Sequence, residues 1–238
     1  MATNATPPFQ GVLVDLFGTL VPSGPRFSRT PHLHQMARIL GVDPPTFERQ
    51  WADSFDDRVS GRLGTLEETI QKIAGRQGST PSASIIQRAV EARLEFTRRV
   101  LDACGPVLPG LDTLRAAGVR LAVVSDCSEE PARLWASTPL GRRINTTVFS
   151  CQQGYCKPDP RMYRAALDKL RLPASCCAFV GDGGSRELTG AEAVGLTAFR
   201  YCFPEKTPGP DSRYDPDLHW SGTTLKDLGE ILRARGES

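Results

Sequence analysis

Three short apolar runs, each stopping on a polar residue, constrain this chain more than any other feature. Residues 11–14 end at Asp15, residues 121–124 end at Ser125, and residues 178–180 end at Gly181-Asp182. Runs of this length, rich in valine and bounded by turn residues, fit strands buried on both faces. Residues 147–150 and 196–201 are β-like as well. From Pro106 onward, helical patterns separate these runs. One covers residues 111–117 and ends at Gly118; another covers 160–170, with Asp159 as N-cap and Pro160 at its first position. A third covers residues 188–194 and closes at Gly195. Residues 223–235 open on a capping residue and read as a terminal helix. Strands alternating with helices predict an α/β fold with a parallel sheet and right-handed crossovers.

One block breaks this rhythm immediately after the first strand. Between about Ser23 and Cys104 the pattern is helical throughout, with no strand signal. Leu33, Met36, Ala37 and Leu40 recur at helical spacing up to Gly41. Phe47, Trp51 and Phe55 recur every four residues, as one buried face would, and Leu66, Ile70 and Ile73 form another stripe. Residues 85–100 form a further helix. The expected organisation is therefore a core from residues 1–22 and 105–238, interrupted by an all-helical module at 23–104. Residues 1–9 are small, polar and proline-containing, and read as a lead-in to the first strand.

Composition narrows the function classes. The 29 Lys and Arg nearly balance the 27 Asp and Glu, leaving +2, so nothing favours a nucleic-acid partner. No apolar run approaches the ~20 residues needed to span a bilayer, so no membrane partner is expected. Seven cysteines, an odd number with Cys176 and Cys177 adjacent and no C-x-x-C pair, make a poor framework for disulfides or zinc. Free thiols in a reducing compartment, the cytoplasm, are expected. His32 and His34 have no third ligand in view and are not read as a metal site. Oligomeric state leaves no mark in the sequence.

In an open parallel sheet the carboxyl ends of the strands share one edge, and ligands bind there. Asp15, Ser125 and Asp182 should therefore converge although they are far apart in the chain. Two converging carboxylates repel unless a cation compensates. Mg²⁺ is suited to this, since it takes one or two carboxylates together with substrate oxygens and water. Lys157, just before a helix near the same edge, can pair with Asp15 and with a phosphoryl oxygen, while Ser125 supplies a hydroxyl donor. Positioning and charge neutralisation are what phosphoryl transfer chiefly requires. An aspartate nucleophile would add a covalent intermediate. The helical module leaves from this edge and is placed to cover it. Within the module, Arg58 and Arg62 flank Gly61 and could read an anionic substrate.

The residues at this edge resemble a known family. Asp15-Leu-Phe-Gly-Thr-Leu20 is similar to the first motif of the haloacid dehalogenase-like (HAD) superfamily. Ser125 in Val-Val-Ser-Asp126 resembles the second motif, and Lys157-Pro-Asp-Pro-Arg-Met-Tyr163 the third. Gly181-Asp-Gly-Gly-Ser-Arg-Glu-Leu-Thr-Gly-Ala191 resembles the fourth. The resemblance covers nearly the whole chain. It implies a Rossmann-like three-layer core with a helical cap of the C1 type, as in subfamily I. It further implies Asp15 as nucleophile, with Thr19, Ser125 and Lys157 as catalytic partners. Ser125, Asp126 and Lys157 would face the substrate, and Mg²⁺ would be held by Asp15, the Phe17 carbonyl, Asp182 and Glu187.

One position departs from the phosphatases of that family. They carry a second Asp two residues after the nucleophile, where this chain has Phe17, which moves no proton. Three readings follow. The first is a Mg²⁺-dependent phosphatase acting on a small phosphorylated metabolite. The second is a 2-haloacid dehalogenase or phosphonatase-like C–X or C–P hydrolase. Dehalogenases have an aromatic at this place, but they are metal-free and their fourth motif lacks the Gly-Asp pair. Phosphonatases need a cap lysine, for which only Lys72 is available. The third is a non-catalytic ligand-binding protein on the same scaffold.

Overall fold

The computed structural model describes residues 8–23, 29–204, 217 and 220–233. Five parallel strands form one sheet in the order β3-β2-β1-β4-β5: β1 Gly11–Val14, β2 Arg120–Ser125, β3 Thr146–Phe149, β4 Cys177–Gly181 and β5 Thr197–Arg200. Side chains alternate faithfully across it. Val12, Val14, Leu121, Val123, Ala178 and Val180 enter one hydrophobic cluster, while Leu13, Ala122, Val124, Cys177 and Phe179 enter another. Two apolar faces oblige the chain to cover both, and this produces the three-layer α/β arrangement expected from the sequence. On the first face lie α6 (Leu108–Ala116) and α7 (Glu129–Leu134); the short α8 (Ser150–Gln153) follows β3, and on the second face lie α9 (Pro160–Leu170) and α10 (Glu187–Glu192).

Between β1 and α6 the described residues form five α-helices: α1 Thr30–Leu40, α2 Pro44–Asp53, α3 Phe55–Val59, α4 Leu66–Gly75 and α5 Ala83–Asp102. They have a hydrophobic cluster of their own, built from Met36, Phe47, Trp51, Ile70 and Ile73 among others. The four-residue spacing of Phe47, Trp51 and Phe55 does not run through one helix. The Ser54 hydroxyl donates to the Trp51 carbonyl, α2 ends there, and Phe55 opens α3 half-buried. Arg58 takes the buried place on the next turn. The C-terminal segment also departs from expectation. Residues 228–232 form a 3₁₀ turn started by the Asp227 side chain, not a helix over 223–235, and residues 234–238 lie outside the described part. Among the described residues, no helix is long and apolar enough to cross a membrane.

The insert is fastened to the core through the short helix α7. Arg93 of α5 pairs with Glu130 of α7 at 2.5 Å, with side chains 8% and 1% exposed. The other side of that guanidinium meets His32 Nε2 at 2.6 Å, and the His32 ring stacks on Phe96. The Glu129 carboxylate accepts from the Leu66 amide at the start of α4, and Arg133 pairs with Glu67. Burial alone would raise the Glu130 carboxyl, but the Arg93 and Arg58 charges outweigh it and hold the group down at about 2. Burial, together with Arg93 and Arg29, pushes His32 down to about 2. Both shifts have the same consequence. Below the ordinary histidine value the unfolded chain gains a proton that folded His32 refuses, and below the ordinary glutamate value the same holds for Glu130. Stability should therefore fall with acidification by about 1.4 kcal/mol per pH unit below ~6.5 from His32 alone, more steeply once Glu130 joins. Melting curves at pH 7, 6 and 5 check this: His32→Gln should flatten the slope in that window, and an unchanged slope would remove His32 from the account.

Candidate active site

The carboxyl edge of the sheet gathers the residues that the sequence scattered. Asp15 follows β1 directly, and its amide donates to the Val180 carbonyl at 2.9 Å, which ties it to β4. Lys157 Nζ lies 2.5 Å from Asp15 Oδ1 and 2.5 Å from Glu187 Oε2, with 3% of its side chain exposed. The Thr19 hydroxyl donates to Asp15 Oδ2 at 3.1 Å. Asp15, Asp182 and Glu187 are all buried, and each offers an oxygen within 4.8 Å of the others. The strand ends thus bring together Asp15, Thr19, Lys157, Asp182 and Glu187.

Two glycines make this closeness possible. Gly18 has φ +90°, and a Cβ there would lie 2.1 Å from Asp182 Oδ2. A Cβ on Gly181 would lie 2.1 Å from Glu187 Oε1. The turn after Asp15 and the loop after β4 therefore pack backbone against carboxylate, which a side chain at either position would prevent. The β4–α10 loop is also strained. Gly183, Ser185 and Arg186 all have left-handed backbones, with φ of 90°, 52° and 51°. The two non-glycine positions cost on the order of 1 kcal/mol or more each. Within this loop, Gly184 N–H donates to Asp182 Oδ1 at 2.8 Å and Gly183 N–H to Glu187 Oε1 at 3.1 Å.

The electrostatics follow from three carboxylates and one ammonium in a dry setting. Burial raises the Asp15 carboxyl, Lys157 opposes this, and Asp182 adds to it. Burial and the neighbouring Asp15 raise Glu187 well above the ordinary carboxylate range, against the pull of Lys157. Lys157 loses from burial but gains more from Asp15 and Glu187, and stands well above the usual lysine value. The surrounding carboxylates thus favour the charged ammonium, while burial and mutual repulsion raise Asp15 and Glu187 in spite of it.

The remaining expected residues are distributed around this centre. Ser125 ends β2 fully buried, and its hydroxyl has no hydrogen-bond partner among the described residues; the Cys127 thiol is a neighbour. Asp126, expected against the substrate, is engaged elsewhere: its Oδ1 accepts from the Lys157 backbone amide at 2.9 Å. The Phe17 ring is half-buried against the first core cluster and places no proton-transferring group beside Asp15. Arg58 and Arg62 part company. The Gly61 turn, at φ +72°, sends Arg62 into solvent, where it pairs with Asp57. Arg58 is buried over the Trp51 ring and reaches the core at Ser128, just past Ser125 and Asp126, with Nη1 to Oγ at 3.4 Å. Lys72 is exposed and donates to the Leu63 carbonyl, away from the edge.

Two contributors carried no assigned role in the sequence reading. The Tyr163 hydroxyl donates to the Glu187 carbonyl at 2.9 Å and so clamps α9 to the first turn of α10. Asp217 accepts from both the amide and the hydroxyl of Thr189, while its own amide donates to the Gly183 carbonyl. Tyr163 stood inside a recognised motif and could have been singled out. Asp217 gave no local signal.

Comparisons with known proteins agree with this arrangement. The chain is 31% identical over 162 residues to haloacid dehalogenase-like hydrolase domain-containing protein 3 of Bos taurus, covering 66% of this chain and 63% of that relative, somewhat under two thirds of its length. It is 31% identical over 156 residues to enolase-phosphatase E1 of Frankia alni, covering 64% and 63%. Its fold is similar to that of 2-haloacid dehalogenase from Pseudomonas syringae pv. tomato, with a TM-score of 0.64 at 22% identity over 94% of this chain and 97% of the other. A family model for haloacid dehalogenase-like hydrolases matches residues 9–195, which span β1, the helical insert and all four motifs, and the chain belongs to that family.

Proposed function

We propose that the chain is a Mg²⁺-dependent phosphoric monoester hydrolase acting on a small phosphorylated metabolite in the cytoplasm. Residues 1–22 and 105–238 would form its core and residues 23–104 its cap. The observation that carries this reading is the carboxylate cluster at the sheet edge. Asp15, Asp182 and Glu187 are buried with an oxygen of each within 4.8 Å of the others, and Lys157 pairs with two of them. Such a cluster of oxygens suits a divalent cation. An all-oxygen donor set fits Mg²⁺, whereas zinc favours nitrogen and sulfur. Asp15, Asp182 and the Phe17 carbonyl would hold the ion, with Glu187 beside them adding charge. When bound, Mg²⁺ supplies charge neutralisation between these carboxylates and an anionic substrate.

The chain's own groups then divide the work. Asp15 attacks phosphorus, the ester P–O bond breaks and the leaving oxygen departs as an anion that takes its proton from water, and the aspartyl phosphate is then hydrolysed by water to free Asp15 and phosphate. Lys157 keeps Asp15 ionised and faces a phosphoryl oxygen. Thr19 holds the second oxygen of the nucleophile in place. The partnerless Ser125 hydroxyl donates to another phosphoryl oxygen. Asp126 fixes the Lys157 backbone and so acts one step away from the substrate. Arg58, buried where the insert meets the core, is the insert's arginine we assign to an anionic substrate group; Arg62 is turned away.

Phe17 sets a chemical condition on the substrate. With no acid beside the leaving group, rates should depend steeply on leaving-group acidity. Aryl phosphates such as p-nitrophenyl phosphate should be cleaved faster than alkyl phosphates, EDTA should stop phosphate release, and added Mg²⁺ should restore it. The aromatic residue is also the one observation favouring a C–X hydrolase. Halide release from 2-chloropropionate that survives EDTA, with no phosphate released from any ester, would decide for that reading.

A further inference from the structure

Cys127 and Cys151 stand together beside the proposed phosphate pocket, and the catalytic reading uses neither. Their proximity follows from the sheet. β2 and β3 pair in parallel and end opposite each other at Ser125 and Phe149, with Cys127 in the loop after β2 and Cys151 in the short helix Ser150–Gln153 after β3. Both pack with the same hydrophobic cluster. The chain beyond the strands keeps this closeness. The Cys127 amide donates to Ser150 Oγ at 2.9 Å, and that hydroxyl lies 3.3 Å from the Cys127 carbonyl. The two thiols are neighbours, each shifting the acidity of the other. They differ in character: Cys127 is buried and Cys151 half-exposed. Contact with Cys127 lowers the Cys151 thiol, while burial raises Cys127. This is the pattern of an attacking, accessible thiol beside a sheltered resolving one.

We propose that Cys127 and Cys151 are a reversible oxidation site, forming a disulfide under peroxide that lowers turnover at the neighbouring pocket. The Cys151 thiolate attacks one oxygen of hydrogen peroxide, the O–O bond breaks, and protonated hydroxide leaves as water, giving the sulfenic acid. The Cys127 sulfur then attacks the Cys151 sulfur, its proton leaves with the displaced hydroxide as a second water, and the S–S bond closes. Two thiols are oxidised and one peroxide is reduced; a dithiol reverses the step. The link to turnover is spatial. The Cys127 sulfur neighbours the Ser125 hydroxyl, and closing the bond draws it toward Cys151. Ser150 Oγ, between the two cysteines, also donates to the Val59 carbonyl of the insert at 2.6 Å. The Cys151 carbonyl fills the space where a Gly61 side chain would stand. Oxidation therefore strains both a phosphate donor and the seat of the insert.

The test oxidises the full chain with hydrogen peroxide and maps it by non-reducing digestion and mass spectrometry, with p-nitrophenyl phosphate turnover read in parallel. Two of the seven thiols should disappear into one Cys127–Cys151 peptide, and dithiothreitol should restore them. Turnover should fall about tenfold or more, since displacement near 1 Å costs on the order of 10²-fold, and Cys151→Ser should keep its turnover under peroxide. Seven titratable thiols after treatment, a cross-link mapping to Cys176–Cys177 or between chains at Cys202, or a quantitative Cys127–Cys151 bond with turnover unchanged would each overturn the proposal. The cross-link is read without any activity, so a chain that cleaves no phosphoester would defeat the catalytic reading and leave the oxidation site to be decided by the peptide map.

Discussion

Asp15→Asn is expected to abolish phosphate release, by on the order of 10⁴-fold or more, while leaving the protein folded. The two halves of that expectation have one cause. Asp15 is a buried carboxylate beside two others, and burial together with Asp182 already opposes its charge. A neutral amide of the same shape relieves that repulsion, loses the charged partner of Lys157, and keeps an oxygen for the Thr19 hydroxyl. The melting temperature of the metal-free variant should therefore match or exceed that of the parent. The nucleophile, by contrast, has no substitute. No other described carboxylate lies at the end of β1, and Glu187 is held by Lys157 and Gly183. Trapping with radiolabelled aryl phosphate should label the parent and not the variant. Phosphate release surviving in Asp15→Asn would rule out the covalent route, and a variant that failed to fold would contradict the charge argument.

What the sequence disclosed about this site and what it concealed separate on physical grounds. Asp15, Lys157, Asp182 and Glu187 sit in contiguous motifs at strand or helix boundaries, where backbone geometry alone determines which edge they face. A parallel sheet then brings them together whatever the loops do. The strands were legible for the same reason: each is an apolar run terminated by a turn. The fastening of the insert was not. Arg93, Glu130 and His32 meet across 37 and 61 residues of chain, and no local pattern encodes that meeting. Helix α7, which carries Glu130, has six residues and a proline in its first turn, too short to display a periodic stripe. Arg58 was visible as a charge near the insert's turn, but its direction depended on where α2 broke, and that break is set by the Ser54 hydroxyl. The terminal segment misled because Leu228 and Ile231 are buried at a spacing that a 3₁₀ turn satisfies as well as a helix.

Lys157→Met should damage both activity and stability, and Mg²⁺ should repair only one of them. Lys157 contributes the one ammonium among the described groups of the carboxylate trio, with contacts of 2.5 Å to Asp15 and to Glu187. Methionine fills much of the volume but leaves three buried carboxylates facing one another. Breaking a buried pair in this way costs about 3–5 kcal/mol. The cost depends on pH with a definite sign. Asp15 and Glu187 are raised carboxyls even with the lysine present, and without it they rise further. A carboxyl raised in the folded state holds a proton that the unfolded chain has released, so folding loses stability as pH climbs above the ordinary carboxylate range. Measured against the parent at the same pH, the metal-free variant should accordingly lose most at the alkaline end and least at pH 5. Magnesium at a hundredfold excess over its dissociation constant would return about 2.7 kcal/mol. Turnover should stay depressed by roughly 10³-fold, because the donor that faces the phosphoryl oxygen is missing whatever balances the charge. Scanning calorimetry of parent and variant at pH 5 and pH 8, with and without Mg²⁺, separates these terms. If the variant melts like the parent under all four conditions, Lys157 does not offset the repulsion among these carboxylates, and the argument for a divalent cation at this edge fails with it.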